Sequence, residues 1–435
     1  MDFPFPVVSC PKSIRVVADE FKDLFRNRGQ YQAFVALLCG AVFGIAGLSS
    51  IARFLLFSPS VSELSRLLHL TDLYSKLNHR HRRRLLRILE RVRRNPNRYM
   101  WAIDDTLIPH FGRSIWGAYL WHDHNTGGTV FGHKLLVLGL VDRDRKVLIP
   151  VFWEILHREI EGHEGDHEKG WAVALKLLDQ AMVVGFPKLV VSADSWFACH
   201  EFFEAIDKRG LTFGLEIKSN RKVVGHGPRK NLDVRVDEFF SDRGREGIFY
   251  RGRKKWAAEV VLRLRGSKLS LKTIAVANKK GLAHESFAFY VTNKLTWNAS
   301  QLWAVARDRW AIEVQFRDLK QIFTLGGAAV RSKEAVETSI SLSAIALTVI
   351  RIEQLARADA NKDRHIRPIP AGGIVNEYRL RSMRRGISKL VNDRNDEVKR
   401  RLRSRLHPQN FGRKPAERIL PMKNQAHSLE PRKSA

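Results

Sequence analysis

Tyr99–Asp105 reads YMWAIDD, Val130–Val141 reads VFGHKLLVLGLV and Lys146–Trp153 reads KVLIPVFW. All three are apolar runs, and the short polar turn Asp142–Arg145 joins the last two, which is the pattern of an antiparallel meander. Then the pattern changes. A helix is predicted over Lys169–Val184, a buried strand over Lys188–Ala193 (KLVVSA), a helix over Phe197–Lys208 and a strand over Leu211–Ile217. Three strands followed by β–α–β alternation predict an α/β core with a mixed sheet. Two of these strands run into acids: Asp104 and Asp105 on the first, Asp194 on the later one. Side chains at strand ends leave the core and reach an open crevice, where ligand sites of α/β sheets collect. One such carboxylate is unremarkable, but two on neighbouring strands can bind a hard cation through oxygen.

Upstream of this core the chain reads as helical and basic. Ser60 and Ser62 can cap SELSRLLHL, with Leu64, Leu67 and Leu68 at helical spacing. Between Arg80 and Arg98 there are nine arginines and one acid, Glu90. Leu85, Leu89 and Val92 fall on one face of that helix, which Asn95-Pro96 stops. The arginines around the rest, Arg83, Arg84 and Arg87 among them, read either as a solvated face or as phosphate contacts; the lack of nearby acids favours phosphate. The whole chain points the same way. Its 435 residues carry 75 Lys and Arg against 45 Asp and Glu, a net charge of +30. A surface that basic repels itself unless a polyanion neutralises it. Ala33–Leu48 (AFVALLCGAVFGIAGL) is an apolar run of 16 residues, shorter than the roughly 18–20 that cross a bilayer, and it predicts a pair of buried helices broken near Gly47, with no membrane span. Cys10, Cys39 and Cys199 form no CxxC pair, which points to a reducing cytoplasm; no signal peptide is read at MDFPFPVVSC.

Downstream, residues 222–296 break the alternation with strand-like, basic stretches (GIFYRGRKKWAAEVVLRLR, LKTIAVAN, SFAFYVTN), a β insertion. Helices are predicted over Ala299–Phe323 and Lys333–Ala358, and a basic, proline-broken tail follows. The organisation expected is therefore a helical N-terminal DNA-binding domain (1–97), a first core part (98–221), a β insertion (222–296), a last core part (297–360) and a basic C-terminal region (361–435). Within the last core part lies RWAIEVQFRDLK, Arg309 to Lys320. At about 100° per residue, Arg309, Glu313 and Lys320 share one stripe of a single helix. Taken alone, Arg309 and Glu313 are adequately explained as an intrahelical ion pair, worth about 0.2–0.5 kcal/mol.

Taken together, AIDDT, VVSADSW and RWAIE…LK resemble the catalytic segments of bacterial insertion-sequence DDE transposases, in the cut-and-paste group whose signature is Tyr-x2-Arg-x3-Glu-x6-Lys. Arg309, Glu313 and Lys320 match that signature in type and spacing; the tyrosine position is Ala306, which leaves its phosphate contact absent or transferred to a neighbour such as Trp303. The resemblance covers about residues 98–330. It implies an RNase H-like core with an inserted β subdomain. It also implies two Mg²⁺ ions (replaceable by Mn²⁺) held by Asp105, Asp194 and Glu313, with Asp104 in reserve as the first ligand. Asp105 would bridge both ions, Asp194 hold one and Glu313 the other; paired divalent ions suit phosphoryl transfer because they activate the attacking oxygen and stabilise the leaving one. Arg309 and Lys320 would grip phosphates beside the scissile bond. Lys134 and His133 would contact DNA or be ordinary strand residues, and Trp256 or Trp297 would stack on a flipped base or be core. The partners implied are double-stranded DNA, as element ends and target, and a second copy of the chain in a synaptic homodimer at the bacterial nucleoid.

Two rivals use different residues. His163-Glu164-Gly165-Asp166-His167 fits the H-E-x-x-H zinc hydrolase pattern, but Gly162 and Gly165 weaken the helix that pattern needs. A non-catalytic DNA-binding regulator explains the charge equally well and leaves the ordered acids unexplained, while a degenerate transposase, intact in fold and inactive, is suggested by Ala306 at the signature tyrosine.

Overall fold

A computed structural model gives the fold of residues 7–112, 114–123, 127–157, 169–226, 229–241, 243–250, 252–278, 287–360 and 368–392. His163, His167 and the tail beyond Pro408 lie outside these described residues. Five helices come first: α1 (Lys12–Asp19), α2 (Arg28–Phe43), α3 (Leu48–Phe54), α4 (Val61–Leu68) and α5 (Leu73–Arg94). Local chemistry sets their ends. The Asn27 side chain accepts the Gln30 N–H to start α2, and Gly44, at φ 69°, stops it in a left-handed conformation. Ser60 and Glu63 form a reciprocal capping box on α4. The apolar run of residues 33–48 is mostly one buried helix: α2 ends at Phe43, and after a 94° bend α3 starts only at Leu48 and buries Ile51 alone, so the break comes at Gly44 and the expected pair of buried helices does not form.

The first sheet comprises β1 (Tyr99–Pro109), β2 (Tyr119–Asp123), β3 (Gly128–Asp142), β4 (Val147–Leu156) and, beyond helix α6 (Gly170–Val184), β5 (Val190–Ala193). β1 pairs antiparallel with β3 along its whole length. The other edge of β3 takes β4 and the short β2, both antiparallel. β5 runs parallel to β1, and a parallel bridge from Val191 to Phe213, past helix α7 (His200–Lys208), extends the sheet. Four antiparallel strands followed by a parallel one give a mixed, RNase H-like sheet with helices on both faces. On one face Tyr99, Trp101 and Ile103 pack against α6 and α7. On the other, Met100, Ala102 and Ile108 share a core with the N-terminal helices and three late helices: α10 (Ala311–Gln321), α11 (Lys333–Ala360) and α12 (Ala371–Asn392). No break in the core falls at residue 97, because the N-terminal helices pack into the same apolar cluster as β1.

The insertion is a second sheet. It contains β6 (Leu215–Ile217), β7 (Lys222–His226), β8 (Arg229–Arg235), β9 (Glu246–Tyr250), β10 (Arg253–Leu264), β11 (Leu271–Ala277) and β12 (Ala288–Thr292), with the short helix α8 (Val236–Phe240) after β8. The order is β6-β12-β11-β10-β7-β8, with β9 on β10. It therefore begins at Leu215, earlier than the composition shift at residue 222, because β6 continues the extended run that starts beside β5 at Phe213. A continuous helix over Ala299–Phe323 does not form. α9 (Ala299–Asp308) ends one turn before α10, and Arg309 and Trp310 make the joint. α11 is long and apolar enough to cross a membrane, yet it runs through the protein's centre against α2, α5, β4 and α12.

Candidate active site

Side chains of a strand alternate between faces. Because Met100 and Ala102 face the core that contains α10, Asp104 does too, while Asp105 leaves on the opposite face. The parallel register pairs Ile103 with Ala193, so the next residues, Asp104 in the middle of β1 and Asp194 just past the end of β5, come side by side. From α10 comes Glu313. The Arg309 Nη1 joins the acids, 2.9 Å from Asp104 Oδ2 and 3.6 Å from Glu313 Oε1. The joint between α9 and α10 thus preserves the Arg309–Glu313 pairing although the single helix expected there is interrupted. Asp104 Oδ1 accepts the Asp105 N–H and Asp194 Oδ1 accepts the Trp196 N–H, which hold both carboxylates at fixed angles.

By strand alternation Asp104 faces α10, while Asp105, the acid that the sequence favoured, leaves on the other side of β1, where Asp194 and Glu313 still raise its pKa. Asp105 is instead salt-bridged to Lys134, 3.2 Å from Oδ1 to Nζ. That ammonium also sits 3.8 Å from the ring centre of Trp196 and 5.6 Å from that of Trp121, so Lys134 is already held by an acid and two indoles. Burial pushes the Asp104 carboxyl well above the usual range; the charge of Asp194 adds to this and Arg309 opposes it. Burial also pushes Asp105 up to about 6, against the pull of Lys134. Lys320 stands in the same field: burial lowers its pKa, while Asp123, Glu313 and Asp105 raise it.

A fourth acid on this side escaped the sequence reading. Glu216 lies on β6, and burial raises its pKa, with Arg309 lowering it and Asp194 raising it. The available signal was an acid inside the short apolar strand that follows the Asp194 segment. The donors around the cluster are all carboxylate oxygens, which suit a small hard cation. Among the described residues no three of them converge at ligating distance; an Arg309 nitrogen stands between Asp104 and Glu313.

Other expected contacts are placed differently. His133 is buried, at 1% exposure. Its Nε2–H donates to the Trp116 carbonyl at 2.7 Å, which leaves Nδ1 to accept from His110 Nε2–H at 2.7 Å, so it braces β3 and does not reach DNA. Arg84 has a side chain 8% exposed and pairs with Glu20, so it is an internal ion-pair partner. Arg87 pairs with the same Glu20 but stays 78% exposed, and Arg83 is exposed. Trp297 packs between two apolar clusters and Trp303 is buried beneath the insertion sheet. Trp256 is half-buried on β10 with Lys254 over its ring. The exposed indoles nearest the acids are Trp196, after Asp194, and Trp310, after Arg309.

Residues 20–233 match the family model described as DDE superfamily endonuclease. That span includes the β1 acids, Asp194 and Glu216; Arg309, Glu313 and Lys320 lie beyond it. Among solved structures the chain is similar to the piggyBac transposase in a cryo-EM synaptic complex with hairpin DNA, at 10% identity and a TM-score of 0.46, over 91% of this chain and 83% of that one. No curated protein matches the sequence.

Proposed function

We propose that the protein is a DNA transposase of the DDE type, encoded by an insertion sequence, which binds element ends and cuts and joins DNA strands with Mg²⁺. The observation that carries this is the gathering of Asp104, Asp194 and Glu313, from three distant segments, around Arg309, with Lys320 in the field of Glu313. The match of residues 20–233 and the net charge of +30 support it.

On this reading Asp104, Asp194 and Glu313 would hold two Mg²⁺ ions, with Mn²⁺ as a substitute. Bound there, divalent ions supply an activated hydroxyl nucleophile and neutralise charge on the leaving oxygen. The chain's own residues do the rest. Arg309 offers a planar fork of donors to the scissile phosphodiester once it releases Asp104, and Lys320 adds a point charge. Asp105 fixes Lys134 and hence Trp196, the residue whose N–H orients Asp194. Two copies of the chain would act together on two element ends, in the cytoplasm.

The test is a nicking assay on the DNA that flanks the gene, with Mg²⁺ or Mn²⁺. Wild type should nick at the boundary of an inverted repeat; Asp104→Asn, Asp194→Asn and Glu313→Gln should not, and Asp105→Asn should keep part of the activity. Equal cleavage by wild type and Glu313→Gln refutes the assignment.

A further inference from the structure

A second concentration of positive charge lies in the insertion, away from the acids. β10 and β11 with β12 and α9 enclose a cavity of about 220 Å³, lined by Arg253, Lys255, Asn278, Tyr290, Trp303 and Arg307 among others. Strand alternation explains how the cations gather. Arg253 and Lys255 share the face of Ala257, which packs towards α9, and Arg307 arrives from the last turn of α9. Lys254 points the other way and lies over Phe249 and Trp256. Among the described residues no Asp or Glu lines the cavity and none of its three cations forms an ion pair. The Lys255 ammonium donates to the Asn278 side-chain oxygen. Three unpaired cations around one concave, partly aromatic space repel each other until an anion enters.

The cavity also adjoins the acidic cluster. Tyr290, on its wall, is the register partner of Glu216 on β6, and Glu216 lies in the field of Arg309 and Asp194. Arg307 is two residues before Arg309 on the same helical segment. We propose that this cavity is a second phosphate site, which grips the backbone of the DNA strand leading to the acids. That the phosphate belongs to DNA rests on the transposase reading; that the cavity takes a phosphate does not. The flat ring of Tyr290 and the edge of Trp303 give the sugar-phosphate chain an apolar wall, while Arg253 and Arg307 supply the forked donors that suit phosphate oxygens.

The test uses the full chain, a fluorescently labelled duplex oligonucleotide and EDTA, so that no cleavage occurs. Anisotropy titrations at several salt concentrations give the slope of log K against log[salt], which changes by about 0.9 for each phosphate that the protein ceases to neutralise. Arg253→Gln with Lys255→Gln should lower the slope by about 1–2, and Arg253→Lys with Lys255→Arg should leave it near wild type. The paired control Lys188→Gln with Lys208→Gln, exposed before β5 and at the end of α7, removes the same charge and should leave the slope unchanged. An unchanged slope in the cavity variant overturns the proposal, as does an equal fall in the control. It is also overturned if inorganic phosphate binds the wild type and not the cavity variant while the DNA slope stays the same, since the site would then serve a free anion. Glu313→Gln should keep the full slope. Loss of the catalytic reading, with no cleavage by any variant, would leave this binding result standing.

Discussion

α10 carries Glu313, and its seat on the core depends on one buried ion pair. Asp318, five residues further along, receives Arg351 of α11 at 2.8 Å, with side-chain exposures of 8% and 5%. Arg351 also donates to Gln354, whose amide in turn reaches the Ile369 carbonyl. A charge left alone at such depth cannot recover its hydration, so Asp318→Asn should destabilise the fold by about 3–5 kcal/mol. The pair itself is worth far less than that. Taking both ions out of water costs nearly what their attraction returns, so Asp318→Leu with Arg351→Met should lie within about 1 kcal/mol of wild type or above it. Urea unfolding followed by circular dichroism at pH 7 gives both values, and adding Asp318→Leu and Arg351→Met singly completes a double-mutant cycle. The reasoning fails if Asp318→Asn alone costs under about 1 kcal/mol, or if the double variant costs as much as the single. Because α10 still packs through Ile312, Phe316 and Leu319, the apolar double variant should retain the wild-type nicking rate if the pair only anchors the helix.

Other expectations follow from individual side chains. His81 is buried and donates to the Pro150 carbonyl at 3.1 Å, and burial depresses its pKa from 6.5 to about 3. Its neutral form is thus a stabilising feature above pH 6.5, lost at about 1.4 kcal/mol per unit as pH falls towards 3; His81→Gln should flatten that part of a pH–stability curve, and an unchanged slope would contradict it. Gly170 opens α6 against Trp196, where an added Cβ would stand 2.3 Å from the indole. Trp196 is half-exposed and can turn away, so Gly170→Ala should change tryptophan fluorescence and reduce nicking while stability moves by no more than about 1 kcal/mol, the size of the opposing helix preference. Gly132→Ala has no such escape, because its Cβ would meet the Ile108 carbonyl of the paired strand at 2.1 Å; a loss of about 1–3 kcal/mol in urea melts is expected.

The sheet was legible because its strands are apolar runs bounded by turns, and the acids drew notice where the apolar letters stop, although β1 continues past them to Pro109. What sequence spacing does not carry is the face. Asp104 and Asp105 are equivalent as letters, and only the register of β1 against β5 tells which one meets Asp194. The basic helix α5 misled for a related reason. Its arginines have few acids nearby in sequence, but the fold brings Glu20 to Arg84 and Arg87, Asp23 to Arg80 and Asp359 to Arg91. Local repulsion was therefore a poor guide to what remains free for phosphate. For His133 the sequence left DNA contact and an ordinary strand role equally open, and its buried hydrogen bonds to His110 and Trp116 are those of a strand residue. The break at Arg309 and Trp310 has no glycine or proline to announce it.

Phe213 pairs with the first sheet, and Leu215 to Ile217, in the same extended run, pair with the second. Between them Gly214 lets α9 approach so closely that a Cβ there would fall 2.8 Å from Val305. The insertion is thus geared to the core at its entry, without a slack linker, and α9 is wedged against the point of transfer. A pull on the insertion sheet is delivered through the backbone to the strand beside Asp194 and through α9 to Arg309. Load applied to the outlying sheet and the alignment of the acids become one mechanical variable.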